Sequence, residues 1–162
     1  MSGSIAIDTN LLVLFVVGAA SRSFIPTHRR CGDFAATDLD LLNFLIKDAD
    51  DIVLTPNTLS ETSNLIGYTY ETARLAIFAI FQQIIESMGE RYLPSQKAAA
   101  RKEFPRLGLT DAALLEIAKD GAVVLTNDIH LFLAVENAGC SAINFNDARL
   151  LWNAGRIADK IS

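Results

Sequence analysis

Four short apolar runs limit what this chain can fold into. Residues 4–7, 52–55, 122–126 and 142–145 are apolar and rich in β-branched side chains, and each gives way within two residues to one suited to opening a helix: Asp8, Pro56, Asp128 and Asn146. Runs this short suit strands covered on both faces rather than buried helices. The segments between them carry helical signals. Residues 11–17 read as a buried helix, and residues 36–48 place Leu39, Leu42, Leu45 and Ile46 on one face. Residues 56–88 read as helical, with a break at Gly67 and a stop at Gly89. A short basic helix is expected over 95–103, a helix capped by Thr110 through Lys119, one over 129–137 closed by Gly139, and a last one from Asn146 to Asn153. Residues 21–33, with Pro26, Gly32 and three arginines, read as a loop. Short buried strands alternating with helices predict an α/β domain around a central, mainly parallel sheet of four or five strands.

The whole sequence, residues 1–162, reads as one domain, with no internal repeat, low-complexity stretch or linker. A hydrophobic content of 51% excludes disorder. Cys31 and Cys140 form no CxxC or zinc-ligand pattern and are expected as reduced thiols. The longest apolar run, residues 11–20, is half the length of a spanning helix, about 20 residues. Asp8 precedes it and the first basic residue, Arg22, follows it, which does not suit a secretion signal. The expectation is a cytoplasmic protein without a membrane anchor. A net charge of −5 argues, on its own, against a nucleic-acid partner.

The placement of the acids changes that reading. Ligand sites in open parallel sheets lie beyond the carboxyl ends of the strands. Asp8 directly follows the first strand, Asp128 follows the third, and Glu61 lies in the first two turns of the helix leaving the second. Asp111 opens a helix that runs antiparallel to the third strand, so its start lies at the same edge. Each acid has a plain structural role open to it, as a helix cap or in a helix first turn, where the dipole favours an acid by ~0.3–1 kcal/mol. Together they would repel, because no Lys or Arg stands within three residues of any of them. A like-charged pair at about 4 Å costs ~1 kcal/mol in water and ~4 at an effective dielectric of 20. An all-oxygen cluster of this kind suits a hard divalent cation, Mg²⁺ or Mn²⁺. These four acids account for four of the five excess negative charges, so the imbalance has an address.

Four segments, IAIDTNLLV, LTPNTLSETSNL, LGLTDAALLEIAKDGAVVLTND and AINF, occur in this order with these spacings to the strands. In these the chain resembles the PIN-domain nucleases over nearly its whole length. The resemblance implies a three-layer α/β fold and Mg²⁺- or Mn²⁺-dependent hydrolysis of phosphodiester bonds in single-stranded RNA. It implies that Asp8, Glu61, Asp111 and Asp128 are the catalytic, metal-binding acids, with support from Asn10 and Thr126. Many members are VapC-type toxins held by a small antitoxin protein that lays a segment into the acidic groove, and such proteins are commonly homodimers. The chain departs from compact members in extra residues around 21–33 and 67–106, and in Asn127, where many relatives carry arginine.

Eight of the 14 basic residues fall in two segments, one with Arg22, Arg29 and Arg30, the other with Arg91, Lys97, Arg101, Lys102 and Arg106. Of these Arg22, Arg29, Arg30, Arg101, Lys102 and Arg106 are candidates for RNA phosphate contact, against the alternative of solvated surface. His130, two residues after Asp128, is within reach of the site or simply exposed in a first turn. Residues Phe78, Phe81, Ile84 and Ile85 form a core or dimer stripe, and Trp152 is a further dimer candidate. No Ser–His–Asp triad, GxSxG, HExxH, phosphate loop or GxGxxG is present. A phosphatase of the haloacid-dehalogenase type would need an acid at position 10, which is Asn. A PIN-like module that binds RNA or protein without cutting, or an RNA-processing nuclease without an antitoxin, completes the alternatives.

Overall fold

The computed structural model describes residues 3–155. In chain order the elements are β1 (Ser4–Ile7), α1 (Thr9–Ala20), a 3-10 turn at Arg22–Phe24, α2 (Ala36–Ile46), β2 (Asp51–Leu54), α3 (Pro56–Ile66) and α4 (Glu71–Ser87). They continue with β3 (Gly89–Glu90), α5 (Ser95–Ala99), α6 (Phe104–Lys119), β4 (Val123–Thr126), α7 (Ile129–Asn137), β5 (Ala142–Asn144) and α8 (Phe145–Asn153). The five strands form one sheet in the order β3-β2-β1-β4-β5, and every neighbouring pair is parallel. Ile5 sits opposite Ile52 on one side and Val123 on the other.

The strand order explains where the helices lie. The chain steps outward from β1 to β2 and β3, then returns across the sheet to β4 and β5. Parallel crossovers share one hand, so opposite directions of travel put their helices on opposite faces. Side chains of α1, α2 and α4 join Ile5, Ile7, Leu54 and Leu125 in one core. Those of α6 and α7 join Ala6, Val53 and Val124 in the other. Successive strand residues therefore serve different layers, and both faces demand apolar side chains, hence the unbroken apolar runs. The result is the three-layer α/β architecture that the sequence resemblance implies. Helix α1 packs against α2, α3 and α4, and its Leu11, Leu12 and Leu14 are fully buried. Each such leucine contributes roughly 1.5–3 kcal/mol relative to exposure.

Four local expectations change. Gly89, read as a helix stop, also opens β3, a two-residue strand pairing Val53 with Gly89 and Leu54 with Glu90. A Cβ at Gly89 would stand 2.9 Å from the exposed Asp51 carboxylate, so a larger residue there would have to turn that side chain aside. The helix expected from Thr110 begins at Phe104 and is broken at Gly108, whose φ of 80° and ψ of −179° only glycine adopts freely. The last strand ends at Asn144, and it is Asn144, not Asn146, that caps α8 by accepting from the Asn146 N–H at 3.0 Å. The basic helix at 95–103 is helical only to Ala99.

Both cysteines are free, and burial pushes the Cys31 thiol up to about 12. Phe81 and Ile84 enter the core, Ile85 is exposed, and Trp152 packs on Phe44 at a ring distance of 5.3 Å. Among the described residues no helix is long and apolar enough to cross a membrane.

Candidate functional site

The reversal in strand order falls between β1 and β4, and open parallel sheets place their ligand crevice beyond the carboxyl ends of the strands at such a point. Asp8 leaves β1 directly into this crevice. It is 4% exposed and caps α1, its Oδ1 accepting from the Leu11 N–H at 3.1 Å. Its Oδ2 accepts from the Thr126 hydroxyl and from the Asn127 N–H at 3.3 Å, which joins the ends of the two central strands. Burial nevertheless pushes the Asp8 carboxyl up to about 6, with the charge of Asp128 adding to it.

Thr126 is fully buried, and its oxygen also accepts from the Asp128 N–H at 2.9 Å. Asp128 caps α7 through Oδ1, which accepts from the N–H groups of His130 (2.7 Å) and Leu131 (3.4 Å). Glu61 arrives on α3, whose start is set by Pro56 and by the Thr55 hydroxyl accepting from the Thr58 N–H at 3.1 Å. Its two oxygens accept from the hydroxyls of Thr9 (2.9 Å) and Thr110 (2.5 Å), so α1, α3 and α6 meet on one carboxylate.

Asp111 follows the Gly108 break on α6. It is half-buried, and its carboxylate accepts no hydrogen bond among the described residues. Burial first, then the negative charges of Asp8, Asp128 and Glu61, push it up to about 7. Those three charges act on Asp111 because all four acids share the crevice. No ion pair among the described residues involves any of the four.

The supporting polar groups are more numerous than the sequence suggested. Asn10 and Thr126 both lie at the site; Asn10 reaches the Asn127 side chain at 3.5 Å. Asn146 adds a bond to the Asn127 carbonyl at 3.0 Å. Thr9 and Thr110, which hold Glu61, were not foreseen as supports. Both sit beside an acid in sequence, in Asp8-Thr9 and Thr110-Asp111, and that adjacency was the available signal.

The basic candidates divide. Arg22 is bound by Asp40 at 2.5 and 3.1 Å on the surface. The Arg101 guanidinium is enclosed by Glu103 (3.1 Å) and Glu116 (2.6 Å), with little exposure on any of the three side chains. Arg29, Arg30, Lys102 and Arg106 are exposed, and Arg30 lies over the Tyr68 ring at 4.7 Å. His28 is buried, bridging the Ile66 carbonyl and the Arg30 N–H, whereas His130 is exposed. Tyr92 is exposed with its hydroxyl on Glu90, and Phe104 packs beside Ala98.

Could these residues hold a hard cation? The donor set is all oxygen and anionic; among the described residues no ammonium or guanidinium group pairs with it, and Asp111 offers a carboxylate without a partner. The chemistry of the set fits Mg²⁺ or Mn²⁺. The acids are neighbours rather than a closed cage: among the described residues no three His, Cys, Asp or Glu side chains stand ready as a metal-ligating group. No protein-family model matches this chain, and a search of curated proteins finds none that matches it.

Proposed function

We propose that the protein is a Mg²⁺- or Mn²⁺-dependent endoribonuclease that hydrolyses phosphodiester bonds in single-stranded RNA. The observation that carries this reading is the crowding of Asp8, Glu61 and Asp128 around Asp111 at the sheet's switch point, with no cationic side chain among the described residues to neutralise them. Resemblance to PIN-domain nucleases in the segments that bear these acids supports the same assignment. On this reading Asp8, Glu61, Asp111 and Asp128 would hold the ion. A bound divalent ion supplies Lewis acidity toward a phosphoryl oxygen and lowers the pKa of water.

The chain's own part is positional. Thr126 and the Asn127 N–H fix both the direction and the tilt of the Asp8 carboxylate. Thr9 and Thr110 fix Glu61, one to each oxygen. Asp128 keeps one oxygen for capping α7, while the other accepts no hydrogen bond among the described residues and faces its task unengaged. Such prior orientation matters because a misplacement of about 1 Å in a reacting group costs on the order of a hundredfold in rate.

By the same resemblance we propose that it works in the cytoplasm as a homodimer and as the toxin of a type II toxin–antitoxin pair, with a small antitoxin protein as partner. Incubation with single-stranded RNA and Mn²⁺ tests the activity. Cleavage is expected from the native chain and not from Asp8→Asn or Asp128→Asn. Equal cleavage by Asp8→Asn refutes the mechanism, and a native chain that binds RNA without cutting it identifies a non-catalytic module.

A further inference from the structure

Two basic clefts open beside the acids. The smaller, of about 300 Å³, is lined by Asn10, Arg29, Arg30, Asp33 and Leu65 among others. Asn10 is two residues beyond Asp8, and Leu65 lies one helical turn beyond Glu61 on α3, so this cleft begins where the acids end. The larger, of about 730 Å³, includes Lys102, Arg106, Lys119 and His130 and lies between the α5–α6 segment and α7. His130 is two residues beyond Asp128, so this cleft borders the acids from the opposite side of the switch point.

Not every cation here is available to a ligand. Arg101 lines the larger cleft, but its guanidinium is closed by Glu103 and Glu116. Lys102, Arg106 and Lys119 are exposed and form no ion pair among the described residues, and the same holds for Arg29 and Arg30. Among the described residues Asp33 is the one acid lining the smaller cleft, and Glu103, turned toward Arg101, the one lining the larger. Each cleft keeps an excess of positive charge. Beside Arg30, Tyr68 is 48% exposed, and the ring face that Arg30 does not cover offers a stacking surface to a base.

We infer that the two clefts hold the sugar–phosphate backbone of one RNA strand on either side of the acids, so that it crosses the sheet edge from Arg29 and Arg30 to Lys102 and Arg106. The inference rests on the nuclease reading and adds the path of the substrate. A ligand engaging both clefts must be anionic along its length, and backbone phosphates supply that at regular spacing, with bases free for Tyr68. An acidic peptide is the competing class.

Fluorescence anisotropy with a labelled single-stranded RNA dodecamer, in EDTA so that no turnover occurs, tests the path. Each pair, Arg29→Gln with Arg30→Gln and Lys102→Gln with Arg106→Gln, should lower the slope of log K against log salt by about 1.4, at roughly 0.7 per phosphate contact, and the four together by about 2.8. Lys47→Gln, at the residue that caps the C-terminus of α2, should change neither slope nor affinity. Circular dichroism melts establish that the variants, all at exposed positions, fold. Either pair leaving slope and affinity unchanged overturns the path, as does a native chain that binds a polyglutamate peptide in place of RNA. Cleavage by the native chain with pair variants that bind and cut equally well overturns the path alone. Loss of binding in the variants of a chain that never cuts overturns the nuclease reading and keeps the path.

Discussion

Replacing Asp111 by asparagine removes a charge and keeps the shape, and its effect on stability has a sign fixed by the site. In the native protein burial and three negative neighbours raise this carboxyl from 3.8 to about 7. The native state therefore holds a proton more tightly than the unfolded chain. Between these two values the unfolded state carries fewer protons, so stability falls as pH rises through the window and is lowest above the folded value. A raise from 3.8 to about 7 corresponds to about 4 kcal/mol of destabilisation when the group is ionised, of which about 3 kcal/mol is regained by pH 5. The substituted amide has no such penalty, and the carboxylate it replaces accepts no hydrogen bond among the described residues.

For a chain of this size each kcal/mol moves Tm by roughly 2–4 °C. With EDTA present, Asp111→Asn should melt up to roughly 8–16 °C above the parent at pH 8, and that gap should shrink by roughly 6–12 °C at pH 5. Mg²⁺ at about a hundred times its Kd should raise the parent by about 2.7 kcal/mol and the variant by less. Differential scanning calorimetry at the two pH values reads all of this. A variant no more stable than the parent at pH 8, or equally stabilised at both pH values, refutes the claim that the acids repel one another in the crevice.

Thr126→Val should cost about 1–3 kcal/mol in urea denaturation, since it strands the Asp128 N–H and removes a donor from Asp8; an NMR titration should place the Asp8 carboxyl above its present value of about 6, and Thr126→Ser should restore both. Gly108→Ala should cost about 1–3 kcal/mol from backbone strain alone, because among the described residues no atom lies within 4 Å of the added Cβ; Gly32→Ala, equally open and without positive φ, is the neutral control in the same melts. Arg101→Ala should cost about 3 kcal/mol by leaving the buried Glu116 to Lys97 alone, at 3.7 Å, and Arg101→Leu with Glu116→Leu should recover most of it in the same denaturation series.

The fold was legible because its signals are local. An apolar run with a capping residue behind it states both a strand and the edge at which it ends, and Asp8 and Asp128 could be placed by that alone. What escaped was set by distant partners. Strand β3 is two residues long and is defined by its pairing with Val53 and Leu54, which no window around residue 89 contains. Thr110 has the signature of a cap, yet its hydroxyl is drawn to Glu61, an attraction that no window around residue 110 contains. The same reason separates Arg101 from Lys102: their sequence surroundings match, yet the fold closes Arg101 between Glu103 and the distant Glu116 and leaves Lys102 exposed.

Among the described residues every hydrogen bond to the site acids comes from a hydroxyl or a backbone N–H, and this choice of donor has a consequence. Neutral donors orient a carboxylate without cancelling its charge, whereas a lysine or arginine would do both and would compete with a cation for the same oxygens. Thr9, Thr110 and Thr126 are therefore the side chains that can make the crevice rigid and keep it negative. The resulting repulsion is borne by the two cores on either side of the sheet, whose fully buried leucines contribute roughly 1.5–3 kcal/mol each. It follows that the destabilised edge and the attraction for a divalent ion are one property: any substitution that relieves the first without metal must weaken the second.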